Sequence, residues 1–161
     1  MKRAFEAYGE PLENVTAFRY LGQVLTAGDD DWITVVGNLV KARKSWGQLS
    51  RILIREGGNT KVSGNFYKAV LQEVLLLGAE TWVLTPQMER ALDSFQHRVA
   101  RWLTGRKPSI QENGIWAYLP FDEVMGEAGF EGISKSVTRR QNTVVQYTAK
   151  RPILDLCERS T

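Results

Sequence analysis

A single cysteine, Cys157, excludes an intramolecular disulfide from this chain of 161 residues and leaves nothing to indicate an oxidising compartment. A single histidine, His97, also excludes the common zinc sites, which draw four ligands from those two residue types. No apolar run approaches the roughly 18 residues of a membrane-spanning helix. Met1-Lys2-Arg3 leads into mixed polar sequence without the apolar stretch of a signal peptide, so a soluble, intracellular chain is the expectation, with no membrane as partner. No glycine-rich phosphate loop occurs. Gly126, Gly129 and Gly132 share a spacing of three, but they follow no strand. Internal repeats and low-complexity tracts are also lacking.

What is there is ordinary globular material, 43% apolar and 24% charged, with enough chain to bury a core without staples. The formal net charge of +3 conceals strong local bias. Residues 32–72 carry Lys41, Arg43, Lys44, Arg51, Arg55, Lys61 and Lys68 against Glu56 alone, a net of +6. Residues 94–111 carry Arg98, Arg101, Arg106 and Lys107 with no acid, and residues 132–154 carry Lys135, Arg139, Arg140, Lys150 and Arg151 with none. Acidic stretches mask all three. A polyanion responds to such blocks more than to the total, although solvated helix faces also account for charge runs.

Helical signals dominate. The segment from Ala4 to Leu25 is short-period and strand-like, with a turn signal at Gly9-Glu10-Pro11, and predicts a β-hairpin that ends at Ala27-Gly28. An isolated hairpin is marginal in water and has to pack on something. Asp29-Asp30-Asp31 opens a helix in which Trp32, Val35, Val36, Leu39, Val40, Trp46, Leu49 and Leu53 form the apolar stripe up to Gly57-Gly58. A second helix from about Thr60 to Gly78 is apolar enough to be the central, most buried one. Thr85-Pro86 opens a third, which runs to Gly105 and places Arg90, His97 and Arg101 along a separate face. Pro108–Tyr118 reads as a loop, Phe121–Ala128 as a short helix ended by Gly129, and Ser134–Lys150 as a last long helix. The fold class expected is mainly α, a helical bundle with an N-terminal β-hairpin.

No catalytic constellation emerges. His97 has no cysteine or serine partner, and a packing role explains it. Asp29 to Asp31 carry the carboxylates a Mg²⁺ ion takes, but helix capping accounts for all three, so no metal site is assigned. Trp32, Trp46 and Trp102 sit on apolar stripes and are expected in the core. Trp116, in the loop, is the tryptophan freest to stack on a base.

Three segments carry a family resemblance. Phe18-Arg19-Tyr20-Leu21-Gly22 resembles the Phe-Lys-Tyr-Leu-Gly box of non-LTR retrotransposon (LINE-type) reverse transcriptases. The stretch from Phe66-Tyr67-Lys68-Ala69-Val70 to Leu77-Gly78-Ala79-Glu80-Thr81-Trp82 resembles their "L-L-Y-G-x-E-x-W" region, with Leu77 where the family often has Tyr. Met88-Glu89-Arg90 through Arg98, followed by Arg101-Trp102-Leu103-Thr104-Gly105, resembles the helix that closes it. Order and spacing match across residues 12–105, and residues 106–161 are similar, less specifically, to the helical extension that follows in some of these proteins.

The resemblance implies a primer-grip-like hairpin at 1–28, with Tyr20, Leu21 and Gly22 in the grip position, a thumb-like helical domain at 29–105, and a C-terminal helical extension at 106–161. It implies as partners an RNA–DNA or DNA duplex, held by its backbone, and the palm and fingers of the same polyprotein. Lys41, Lys44, Arg51, Arg55, Arg98, Arg101, Arg139 and Arg140 are the expected phosphate contacts. The family's metal-binding aspartates precede the Tyr-Leu-Gly box and are not in this chain. Two-metal phosphoryl transfer needs them, so the chain alone is expected not to polymerise DNA, and Mg²⁺ is implied only for a full-length polymerase. A helical protein-interaction or structural subunit, and a non-functional translated relic, are the alternatives.

Overall fold

The computed structural model describes residues 6–8, 10–11, 15–20, 23–26, 28, 30–106, 109–111, 114, 116–117 and 119–150. Two antiparallel ribbons open the chain. The first pairs β1 (Glu6–Ala7) with β2 (Glu10–Pro11), and the second pairs β3 (Ala17–Tyr20) with β4 (Gln23–Thr26). Glu10 and Pro11, expected as turn residues, are thus paired, and the reversal begins earlier, at Tyr8 with φ of 56°. The second ribbon, with Phe18 opposite Leu25 and Tyr20 opposite Gln23, ends near the expected Ala27-Gly28, but both its strands lie beyond the expected turn at Gly9-Glu10-Pro11.

Six α-helical segments follow among the described residues: α1 (Asp31–Arg55), α2 (Thr60–Phe66), α3 (Glu73–Leu75), α4 (Pro86–Thr104), α5 (Phe121–Ala128) and α6 (Ile133–Ala149). Their ends follow local chemistry. The Asp30 carboxylate accepts from the Trp32 N–H and caps α1, while the Asn59 side chain does the same for α2 through the Val62 N–H. Thr85 caps α4 through the Met88 N–H, with Pro86 at the first position. Gly105 and Gly129 end α4 and α5 in the left-handed conformation that glycine adopts without steric cost. The last helix has no side-chain cap of its own. Instead, Asp93 of α4 accepts from the Ile133 N–H at 3.4 Å, so the start of α6 is held by a helix forty residues upstream.

The second expected helix is not uniform. Between α2 and α3 the residues Tyr67–Gln72 form a π-helical turn, and α3 ends at Leu75 before a series of turns. Nor is it buried on all sides. Tyr67, Leu71, Leu75 and Leu76 are enclosed, but Val62, Phe66, Val70 and Leu77 stand about half exposed. The hub is α4, which packs against α1, α2, α5 and α6 and buries Met88, Leu92, Phe95, Gln96, Val99, Ala100 and Leu103. One apolar cluster runs from Val35 and Leu39 of α1 through Leu71, Leu92 and Val99 to Val124, Phe130 and Val137, so the helices beyond residue 106 share their core with those before it. Tyr67 stacks on Phe130 with ring centroids 4.3 Å apart. The helices come very close at Gly64, where a Cβ would lie 2.9 Å from the Ala128 carbonyl oxygen.

Three further expectations need correction. Val36 and Val40 lie outside the buried stripe of α1 and face solvent. Trp102 is 40% exposed and makes an edge contact with Trp46 at 5.0 Å; at the helix surface its ring covers its neighbour without being enclosed. Within the expected loop 108–118, β5 (Ser109–Ile110) pairs with β6 (Trp116–Ala117), and Trp116 is an exposed strand residue. The architecture is mainly helical, with short two-stranded ribbons, and among the described residues no helix is long and apolar enough to cross a membrane.

Candidate nucleic-acid interface

The outward side of α1 is the most coherent basic surface. Lys41, Lys44, Gln48, Arg51 and Arg55 recur at spacings of three, four, three and four, so they share one stripe of a 3.6-residue helix. All five are exposed, on the side opposite Val35, Leu39, Ala42 and Leu53, which are buried. At a rise of ~1.5 Å per residue the row is about 21 Å long. The only acid within α1 is Asp31, at its start. Arg55 contacts Glu56 at 2.8 Å with both side chains largely exposed, and such a pair is weak in water. Toward the N-terminus the same outward side turns apolar, through Ile33, Val36 and Val40.

The other expected contacts are placed differently. Arg98 and Arg101 lie a turn apart on the outer side of α4, where they line a depression of about 480 Å³ with Ser94 and His97. Burial, with a contribution from the Arg101 charge, holds the His97 pKa below the ordinary imidazole value. On α6, Arg139 donates to Glu131 at 2.8 Å, and Lys135 approaches the same carboxylate at 3.9 Å. Arg140 is turned inward. Its side chain is 23% exposed and bridges Glu73 at 2.6 Å and Glu80 at 3.3 Å, which makes it a fastener between α6 and the segment around α3. Gln141 adds to that attachment by donating to the Trp82 carbonyl at 2.8 Å. The bases weighed as phosphate contacts thus lie on three different helices, α1, α4 and α6, and Arg140 faces carboxylates.

The hairpin is attached to α1. The Thr34 hydroxyl donates to the Val24 carbonyl at 3.1 Å and accepts from the Val24 N–H at 3.4 Å. Phe18 and Tyr20, two residues apart on β3, are both exposed. Leu21 and Gly22 lie outside the described residues, as does Asp29.

The aspartates weighed as cation ligands have other work. Asp30 caps α1, and Asp31 accepts from the Val83 N–H at 2.9 Å. Among the described residues no three of His, Cys, Asp and Glu are grouped to hold a metal ion.

Sequence reasoning missed two polar side chains in the core. Asn38, 1% exposed, donates to the carbonyls of Leu77 at 2.9 Å and Leu75 at 3.4 Å. Gln96, fully enclosed, donates to the Glu131 carbonyl at 2.9 Å. The only signal for either is a polar residue in an otherwise apolar stripe. Around Tyr67, burial and the nearby Asp93 charge push the phenol pKa well above its ordinary value, and burial likewise raises the Asp93 carboxyl.

Comparison with protein-family models, with curated proteins and with solved structures finds no match.

Proposed function

We propose that this chain is a non-catalytic grip for a nucleic-acid duplex, the counterpart of the primer-grip and thumb region of a non-LTR-type reverse transcriptase. The observation that carries the proposal is the α1 row of Lys41, Lys44, Arg51 and Arg55, exposed on one stripe with no acid among them. Contacts from such a row to phosphate oxygens position a duplex without reading its sequence. The hairpin fixed to the head of the same helix, with Phe18 and Tyr20 outward, suits a site beside a strand terminus. Arg140 is withdrawn from the contact set, because Glu73 and Glu80 already engage its part-buried side chain; the Arg139–Glu131 pair is exposed and, like Arg55–Glu56, weak in water. Asp30 and Asp31 serve as hydrogen-bond acceptors within the fold.

A gel-shift competition tests the reading. Duplexes of unrelated sequence are expected to bind with equal affinity; a strong sequence preference, or no binding at low salt, would overturn it. A second reading, a helical protein-interaction subunit, is favoured by the exposed Ile33, Val36 and Val40 beside the basic row. Under it, Val36→Ser with Val40→Ser abolishes a partner's binding while duplex affinity is nil throughout.

A further inference from the structure

His97 sits where two shallow depressions meet on the outer side of α4. One, of about 480 Å³, is lined by Ser94, His97, Arg98 and Arg101. The other, of about 340 Å³, is lined by Arg90, Asp93, Ser94, His97 and Phe121. The spacing of 90, 94, 97, 98 and 101 keeps these side chains on one side of the helix. The His97 ring stands edge-on to Phe121 at 4.8 Å with an interplanar angle of 66°, which restrains the imidazole. Its Nε2 is buried and finds no hydrogen-bond partner among the described residues, an arrangement that costs free energy. Arg90 is held along the helix by donating Nε–H to the Pro86 carbonyl at 3.1 Å. Phe121 is the first residue of α5, whose first turn carries Asp122 and Glu123.

We propose that Ser94, His97, Arg98 and Arg101 bind a phosphate group. A hydroxyl, an imidazole nitrogen and two guanidinium forks offer donors suited to a tetrahedral oxyanion, and arginine is the cation best matched to phosphate in geometry. The acids lie to one side. Asp93 belongs to the neighbouring depression and not to the one that holds Arg98 and Arg101. The phosphate comes either from a monoester, such as a strand end, or from the diester backbone of a duplex. This site is independent of the α1 row and stands or falls apart from it.

His97 is the only histidine, so its imidazole proton resonances report on the site without ambiguity. Burial and then the Arg101 charge set its titration, and Arg90, Asp93 and Arg98 line the two depressions with it. A bound phosphate favours the imidazolium. In proton NMR titrations at matched ionic strength, inorganic phosphate in place of chloride is expected to raise the His97 midpoint by about one pH unit, equivalent to roughly tenfold tighter binding to the charged ring. Arg98→Gln, at an exposed position, should abolish the rise, while Lys41→Gln with Lys44→Gln and Arg51→Gln should leave it intact. Blunt duplexes with and without 5′-phosphates identify the source: a rise only with the phosphorylated ends points to the monoester, an equal rise to the diester. An identical midpoint under all ligands overturns the proposal. So does a rise that survives Arg98→Gln, or one that disappears when only the α1 bases are removed.

Discussion

Replacing Asn38 tests whether the two ends of the core are joined by polar bonds as well as apolar contact. Its amide reaches from the middle of α1 to the carbonyls of Leu75 and Leu77, which the end of α3 leaves without helical partners. In Asn38→Ala both carbonyls lose their donor. The longer bond, at 3.4 Å, is buried, and the shorter, at 2.9 Å, lies partly within reach of water. Counting one carbonyl as stranded at about 1–3 kcal/mol, the net loss is about 2 kcal/mol, or a fall in Tm of about 4–8 °C for a chain of this length. Asn38→Asp is the sharper perturbation, because it preserves shape while replacing the donor by a carboxylate aimed at two carbonyl oxygens. It should be less stable than Asn38→Ala at neutral pH. The introduced carboxyl has its folded pKa raised above its unfolded value, so protonation favours the folded state and stability should recover as pH falls through that folded pKa. Urea denaturation of the three proteins between pH 7 and 5 provides the measurement. Wild-type stability in Asn38→Asp at pH 7 would refute the bonding scheme.

Further outcomes follow from other contacts. Gly64→Ala places a methyl group against the Ala128 carbonyl, which is backbone and cannot swing aside; overpacking of this kind costs about 1–3 kcal/mol, readable from the urea midpoint. Arg140→Gln breaks the bridge to Glu73 and Glu80 and should speed proteolysis within α6 while leaving α1 protected, as limited trypsin digestion followed by mass spectrometry would show. His97 has a folded pKa below its unfolded value, so its contribution is present above the unfolded pKa and is lost as pH falls through the window between the two. His97→Gln should flatten the stability profile on the acid side of neutrality. The raised Asp93 carboxyl acts in the opposite sense, with protonation favouring the fold, and Asp93→Asn isolates that part.

Much of the fold was legible because it is written locally. Asp30, Thr85-Pro86, Gly105 and Gly129 punctuate the helices within one turn of themselves, and α5 has the expected bounds. What escaped is non-local. The bridge from Arg140 to Glu73 and Glu80 spans at least sixty residues, Asn38 finds its acceptors across the core, and Asp93 caps a helix on a different segment. The π-helical turn at Tyr67–Gln72 has no periodic signature of its own, since its residues continue the apolar pattern of the helix around it. For the candidate site, the charge blocks marked basic segments without saying which way each base points. Helical spacing does set Lys41, Lys44, Arg51 and Arg55 outward together, whereas only tertiary structure turns Arg140 in.

The most direct test of the duplex grip is the salt dependence of binding to B-form DNA. Each phosphate neutralised contributes about −0.9 to the slope of log affinity against log salt, so removing three contacts should flatten it by about 2.7. Filter binding of wild type and of the Lys41→Gln, Lys44→Gln, Arg51→Gln variant across a salt series is predicted to show that difference, with the variant's fold intact because all three side chains are exposed. Equal slopes for the two proteins would contradict the assignment of the α1 row as the phosphate-binding surface.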